Sequence, residues 1–321
     1  MASTALASVD RVEARDLRQA IYGEGDPDRA DVEKLITLGR AEGSDEEFAQ
    51  LLAEVAVDVF VHQADPSGYI TDDDANWLIE KLGADGGLAC AAEFAMLKRL
   101  IGRAVSVPPQ LTAFAVREVE KAILTGRRDG FGGVDHEPGV VTPDDVEALR
   151  SLVFAPTRGH ALHVDSETAQ ALFDIAHATA TADNAPEFPD FFAKAVGNYL
   201  LGVEFVGAPD REEELHIESY LARPGGFGSF LSEMFGGGAR LSEIDETIGD
   251  DQEDADRALN AETTHRLEAA ARLTSDETKW VLAHLTRGGI LTTAECRLLA
   301  FLRDESTSAP QELSDLYDQA A

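Results

Sequence analysis

One stretch of the chain returns in diverged form 203 residues later. TDDDANWLIEKLGADGGL, starting at Thr71, returns from Thr274 as TSDETKWVLAHLTRGGIL and keeps Asp73/Asp276, Trp77/Trp280, Leu82/Leu285, Gly86/Gly289 and Leu88/Leu291. The two segments hold both tryptophans of the protein. Earlier matches run in the same order: Leu17, Arg18, Ile21 and Tyr22 against Leu149, Arg150, Val153 and Phe154, and residues 48–60 against 188–200. A unit repeated in this way predicts two similar lobes.

Apolar residues recur at helical spacing wherever a period can be read. Phe48, Leu51, Leu52, Val55 and Val59 form one stripe, Phe188, Phe191, Phe192, Ala195, Tyr199 and Leu200 another, and Leu111, Phe114, Ala115, Val119, Ala122 and Ile123 a third. No stretch alternates with a period of two, so the expected fold is all-α: two similar helical lobes from an internal tandem duplication, with an insertion in the second copy. Thr71, Thr142 and Thr274 each precede an acid three residues on, which marks helix starts. Gly83, Gly126 and Gly202 mark stops.

The expected boundaries are a first lobe at 10–125, a glycine-rich linker at 126–141, the first half of the second repeat at 142–202, an insertion at 203–261, and the second half at 262–321. The insertion begins with a short helix pattern at 211–221, continues through RPGGFGSFLSEMFGGGARLSE, and ends in an acidic tract at 243–256. Phe227, Phe230, Leu231, Met234 and Phe235 form an apolar cluster between glycines, a pattern suited to docking on a partner or on the protein's own surface.

Charge narrows the partners. Sixty acids against 27 bases give a formal charge of −33, which repels phosphate backbones and anionic lipid, so no nucleic-acid partner is expected. Two cysteines, Cys90 and Cys296, imply no disulfide framework. No apolar run reaches the roughly 20 residues of a membrane span, and the N-terminal residues do not read as a secretory leader. A cytoplasmic protein without a transmembrane segment is the expectation.

Chemistry-bearing motifs are few. Gly68, Gly86, Gly139 and Gly289 each open a pattern of glycine, any residue, an aliphatic and then Thr or Ala, similar to the second half of an EF-hand loop. The metal-binding half is largely missing. Only the Gly68 loop offers several oxygen ligands, Gln63, Asp65, Ser67 and Asp74 at positions one, three, five and twelve. Turn chemistry alone would also require the glycine and the aliphatic plug. The histidines show no zinc spacing, and there is no nucleophile elbow, P-loop, dinucleotide fingerprint or H-E-x-x-H, so no catalytic residue is assigned.

ADGGLACAAEFAML at 84–97 and RGGILTTAECRLLAFL at 287–302 resemble the A-D-G-x-[IL]-x-x-x-E-x-x-x-[IL] segments of TerB-like proteins, and HQADPSGYITDDD at 62–74 is a looser match. The resemblance implies a compact all-α fold with repeated helices, and an association with acidic metal-binding clusters and with tellurite and stress responses. Carried over to this chain, it implies Asp85 and Glu93, with Asp65 and Asp74 nearby, as ligands of a weakly held divalent cation. In the second copy Gly288 stands in place of the aspartate and only Glu295 remains. The preferred reading is a non-catalytic binding or adaptor protein with a protein partner. The alternatives are a divalent-cation-responsive regulator and an enzyme with a cleft between the lobes.

Overall fold

A computed structural model of the chain describes residues 11–23, 25–42, 45–65, 67–84, 86–126, 137–154, 164–201, 273–285, 287–305, 313 and 316–317. The described residues form eleven α-helices and no strand: α1 (Arg11–Gly23), α2 (Arg29–Glu42), α3 (Glu46–Val57), α4 (Asp72–Gly83), α5 (Ala91–Arg103), α6 (Pro109–Thr125), α7 (Pro143–Val153), α8 (Ser166–Ala178), α9 (Phe188–Leu201), α10 (Ser275–Leu285) and α11 (Thr293–Glu305). The expected all-α class is therefore observed. No described helix is long and apolar enough to cross a membrane.

Helix starts follow the sequence signals. Thr71 and Thr142 each accept the backbone N–H of the residue three on, and Asp74 and Asp145 reach back to the threonine N–H at 3.2 and 2.8 Å. The shorter aspartate completes the reciprocal box that glutamate usually makes. Glu277 does the same for Thr274 at 2.6 Å. Among the predicted stops, Gly83 ends α4, and Gly126 caps α6 in the left-handed region at φ 72°, where a Cβ would be strained. Gly202 lies outside the described residues, as do 211–221 and 243–256.

The chain divides into two compact units, Met1–Arg158 with Asp165–Ala185, and Gly159–Val164 with Pro186–Ala321. In the first, α3 packs most extensively on α5, and α6 gathers α4, α7 and α8. Phe48, Leu51, Leu52 and Val55 of α3 and Met96, Leu97, Leu100 and Ile101 of α5 are all buried. The stripe predicted through Val59 departs from an α-helix after Val57, where Asp58–His62 form a π-helical turn closed by Gln63 N–H donating to Asp58 O. In the second unit α9 packs most extensively on α11, burying Phe188, Phe191, Phe192, Leu298, Leu299 and Leu302.

Two helices expected in the second repeat, α7 and α8, thus belong to the first unit, because α6 supplies the surface on which both bury their apolar faces. Nor is the end of the predicted linker a free tether. Gly139 N–H donates to Ile123 O, Val141 is buried, Asn184 accepts the Val141 N–H, and Ala185 N–H donates to Val141 O.

Candidate functional site

The glycine junctions are structural turns. Gly68 has φ 96°, and an added Cβ would fall 2.7 Å from Val105 Cγ2. Its carbonyl accepts the Val105 and Ser106 N–H groups, and Ile70 N–H donates to Ser106 O, so the loop is clipped to the end of α5 with Ile70 buried as the plug. Of the oxygen ligands expected here, Gln63 donates to Pro27 O, Ser67 donates to Val61 O, and Asp65 lies exposed.

Asp74 is occupied elsewhere. Its Oδ1 takes Arg29 Nη2 at 2.5 Å, while Oδ2 accepts from the Thr71 hydroxyl and N–H. The Arg29 guanidinium lies 5.9 Å from the Phe60 ring centroid and 6.0 Å from that of Trp77, rings that themselves pack 5.5 Å apart. With Asp73 also taking Arg29 Nη2 at 3.1 Å, a cation held over two aromatic faces and two carboxylates is a tie between α2, the π-helical turn and α4.

Glu93 is fully buried. Arg40 Nε donates to its Oε1 at 2.5 Å, Ala89 N–H donates to its Oε2 at 2.8 Å, and Arg40 Nη2 reaches Leu82 O at 2.9 Å. Both carboxylate oxygens are committed, so a cation would have to displace Arg40. The neighbouring turn wraps a different carboxylate: Glu118 of α6 accepts the Leu88 N–H at 2.9 Å, so close to Gly87 that a Cβ there would meet Glu118 Oε2 at 2.2 Å. Asp85 lies outside the described residues, as does the insertion cluster Phe227, Phe230, Leu231, Met234 and Phe235. Among the described residues no three His, Cys, Asp or Glu side chains are grouped to hold a metal, and Asp65, Asp74 and Glu93 do not meet at one point. Cys90 and Cys296 are half-buried and not joined in a disulfide, and burial, then the charge of Glu295, pushes the Cys296 thiol up.

One polar network was not legible in the sequence. Asp58, at the start of the π-helical turn, accepts the Tyr22 hydroxyl at 2.5 Å and stands 2.8 Å from His62 Nδ1. Burial, then the Asp58 hydrogen bond, raises the Tyr22 phenol above its usual value. The aspartate orients the imidazole, yet among the described residues the His62 ring bonds to Asp58 alone, and the one hydroxyl in the network, that of Tyr22, bonds to the aspartate and not to the imidazole.

A second feature could be found only in three dimensions. A groove of about 440 Å³ runs between α3 and α5, floored by Ala49, Ala53, Ala95 and Gly102. Its rim carries Glu46, Gln50, Lys98, Arg99 and Arg103. The three cations are exposed, and none has an ion pair or side-chain hydrogen bond to a described residue. In a chain with more than two acids per base, three unpaired cations on one face are a distinct electrostatic feature. No protein-family model, curated protein or solved structure matches the chain.

Proposed function

We propose that this chain is a non-catalytic, cytoplasmic binding or adaptor protein of TerB-like helical type, and that it recognises an acidic protein partner through the α3/α5 groove. The observation that carries the reading is the groove itself: an apolar floor of small residues under Lys98, Arg99 and Arg103, all three without an ion pair among the described residues. Three other arginines of the first unit serve the fold, Arg18 on Glu54, Arg29 on Asp73 and Asp74, and Arg40 on Glu93. Unpaired charge around an apolar patch steers association and selects a partner of opposite sign. The cation-responsive alternative gains nothing from Asp74 and Glu93, whose oxygens already serve arginines.

The test is affinity capture from host lysate with the full chain, with a Lys98→Glu/Arg99→Glu/Arg103→Glu variant, and with a chain lacking 203–261. A protein retained by the wild type and the deletion but lost by the charge reversal is the expected result. Equal capture by the charge-reversed chain, or loss only on deletion, moves recognition away from the groove and overturns the proposal.

A further inference from the structure

We infer that the occupant of the α3/α5 groove is an acidic amphipathic α-helix that packs with its backbone close against Gly102. The inference rests on the groove being the recognition surface and adds the partner's conformation and chemistry.

Gly102 carries the argument. It is the penultimate residue of α5, in the last turn of a ladder that closes with Ala104 N–H donating to Leu100 O, and its φ is not positive. Glycine within a helix is destabilising relative to alanine, so a helical glycine calls for a packing reason. Two other glycines within helices have one: a Cβ on Gly39 would meet the Phe48 ring at 2.9 Å, and one on Gly197 would meet the Phe301 ring at 2.3 Å. At Gly102 a Cβ would meet nothing within 4 Å. The described fold leaves that space open on the groove side, beside Ala49, Ala53 and Ala95. The distance between packed helices is set by the side chains at the crossing, so a floor of alanine and glycine admits a close third helix.

The described residues contain no strand, and a groove between two helices offers no ladder of free backbone groups. An extended occupant would bury its own N–H and C=O groups unpaired, whereas a helix satisfies them internally. The lining residues run from 46 to 53 on α3 and from 95 to 103 on α5, roughly 12 Å of helix, enough for two to three turns of an occupant. Arg99 and Arg103 are one turn apart, with Lys98 beside Arg99, and one turn is the spacing at which carboxylates i and i+4 face outward from one helix side. Against these three cations the lining sets one acid, Glu46, so the balance of the groove stays cationic.

The probe is a fluorescein-labelled, alanine-rich 15-residue helix with glutamates at i, i+4 and i+7, compared by anisotropy with the same composition broken by two prolines and with a lysine-for-glutamate version. The full chain should bind the acidic helix saturably and at least about tenfold tighter than the proline peptide, with no binding of the lysine peptide. Gly102→Ala should weaken binding and Gly102→Leu abolish it, while thermal unfolding of both variants stays at or above that of the wild type. If helical and proline peptides bind equally and Gly102→Leu is silent, yet charge reversal of Lys98, Arg99 and Arg103 abolishes binding, the helical occupant is wrong and the cationic groove stands. If no acidic peptide binds the wild type, the groove reading falls as well.

Discussion

In the first unit α5 lies on α3 with Gly102 facing open space, while in the second α11 lies on α9 with Gly197 pressed against the Phe301 ring. The polar rims differ in the same sense. On α9, Asp190 takes Arg297 Nη2 from α11 at 2.6 Å and Lys194 Nζ at 3.0 Å, so the pair is bound across its surface by its own ions. In the match of 48–60 with 188–200, Gln50 and Glu54 stand where Asp190 and Lys194 stand. Glu54 turns instead to Arg18 of α1, and Lys98, Arg99 and Arg103 of α5 have no carboxylate partner among the described residues. Two helix pairs with equally apolar interiors thus differ in whether the outer seam is closed by the chain itself. The open seam is the one to which the proposal assigns a partner.

The largest expected effect separates the interiors. Arg40 is the counter-ion of a carboxylate with no exposure, so Arg40→Met should cost about 3–5 kcal/mol by leaving Glu93 charged and unpaired. Urea unfolding in a Trp280→Phe background reads this through Trp77, which sits in the first unit. Adding Glu93→Gln should recover much of the loss, since the lone buried charge is gone. A loss below about 1 kcal/mol in the single variant would show that the pair does not hold α2 to α5.

The two helical glycines should then respond with opposite signs. Gly197→Ala drives a methyl into the buried Phe301 ring and should cost about 1–3 kcal/mol, read through Trp280 in a Trp77→Phe background. Gly102→Ala meets nothing and should instead gain about 0.5–1 kcal/mol from helix propensity, read through Trp77. Equal destabilisation by both would mean that the space beside Gly102 is already filled by the chain, and the contrast between the two seams would disappear.

The interior of each pair could be read from the sequence because burial repeats with the helical period. Phe48, Leu51, Leu52 and Val55, and Phe188, Phe191, Phe192 and Ala195, are all buried as their stripes require. Capping threonines and turn glycines were legible for the same local reason, down to the positive φ of Gly68, Gly86, Gly139 and Gly289. The surroundings of the carboxylates were not legible because a sequence lists acids without their counter-ions. Arg29 and Arg40, 45 and 53 residues away from Asp74 and Glu93, take up the oxygens that a metal would need. The groove was hidden for the complementary reason: Lys98, Arg99 and Arg103 look ordinary in a charged helix, and only three dimensions show that no described acid reaches them. The assignment of α7 and α8 to the first unit depended on α6, a helix that has no counterpart in the sequence matches.

The smallest expected effect tests whether ions close the second seam. Burial pushes the Asp190 carboxyl up, but hydrogen bonds from Arg297 and Lys194 and the charges of those two groups outweigh it and hold the group below its usual value. A carboxyl depressed by folding contributes stability that is present above its unfolded pKa, about 3.9, and is lost as pH falls through the lower folded value. Because Asp190 is half exposed, solvent screens the pair, and Asp190→Asn should cost only about 0.2–1 kcal/mol at pH 7. The difference between variant and wild type, followed through Trp280, should shrink below pH about 4 and also in 1 M salt, where the screening length falls to about 3 Å. A difference that persists in acid and in salt would remove the ions as the closing element. The contrast between the two seams would then rest on the Phe301 ring alone, and the unpaired cations of α5 would lose their counterpart in α9 and α11.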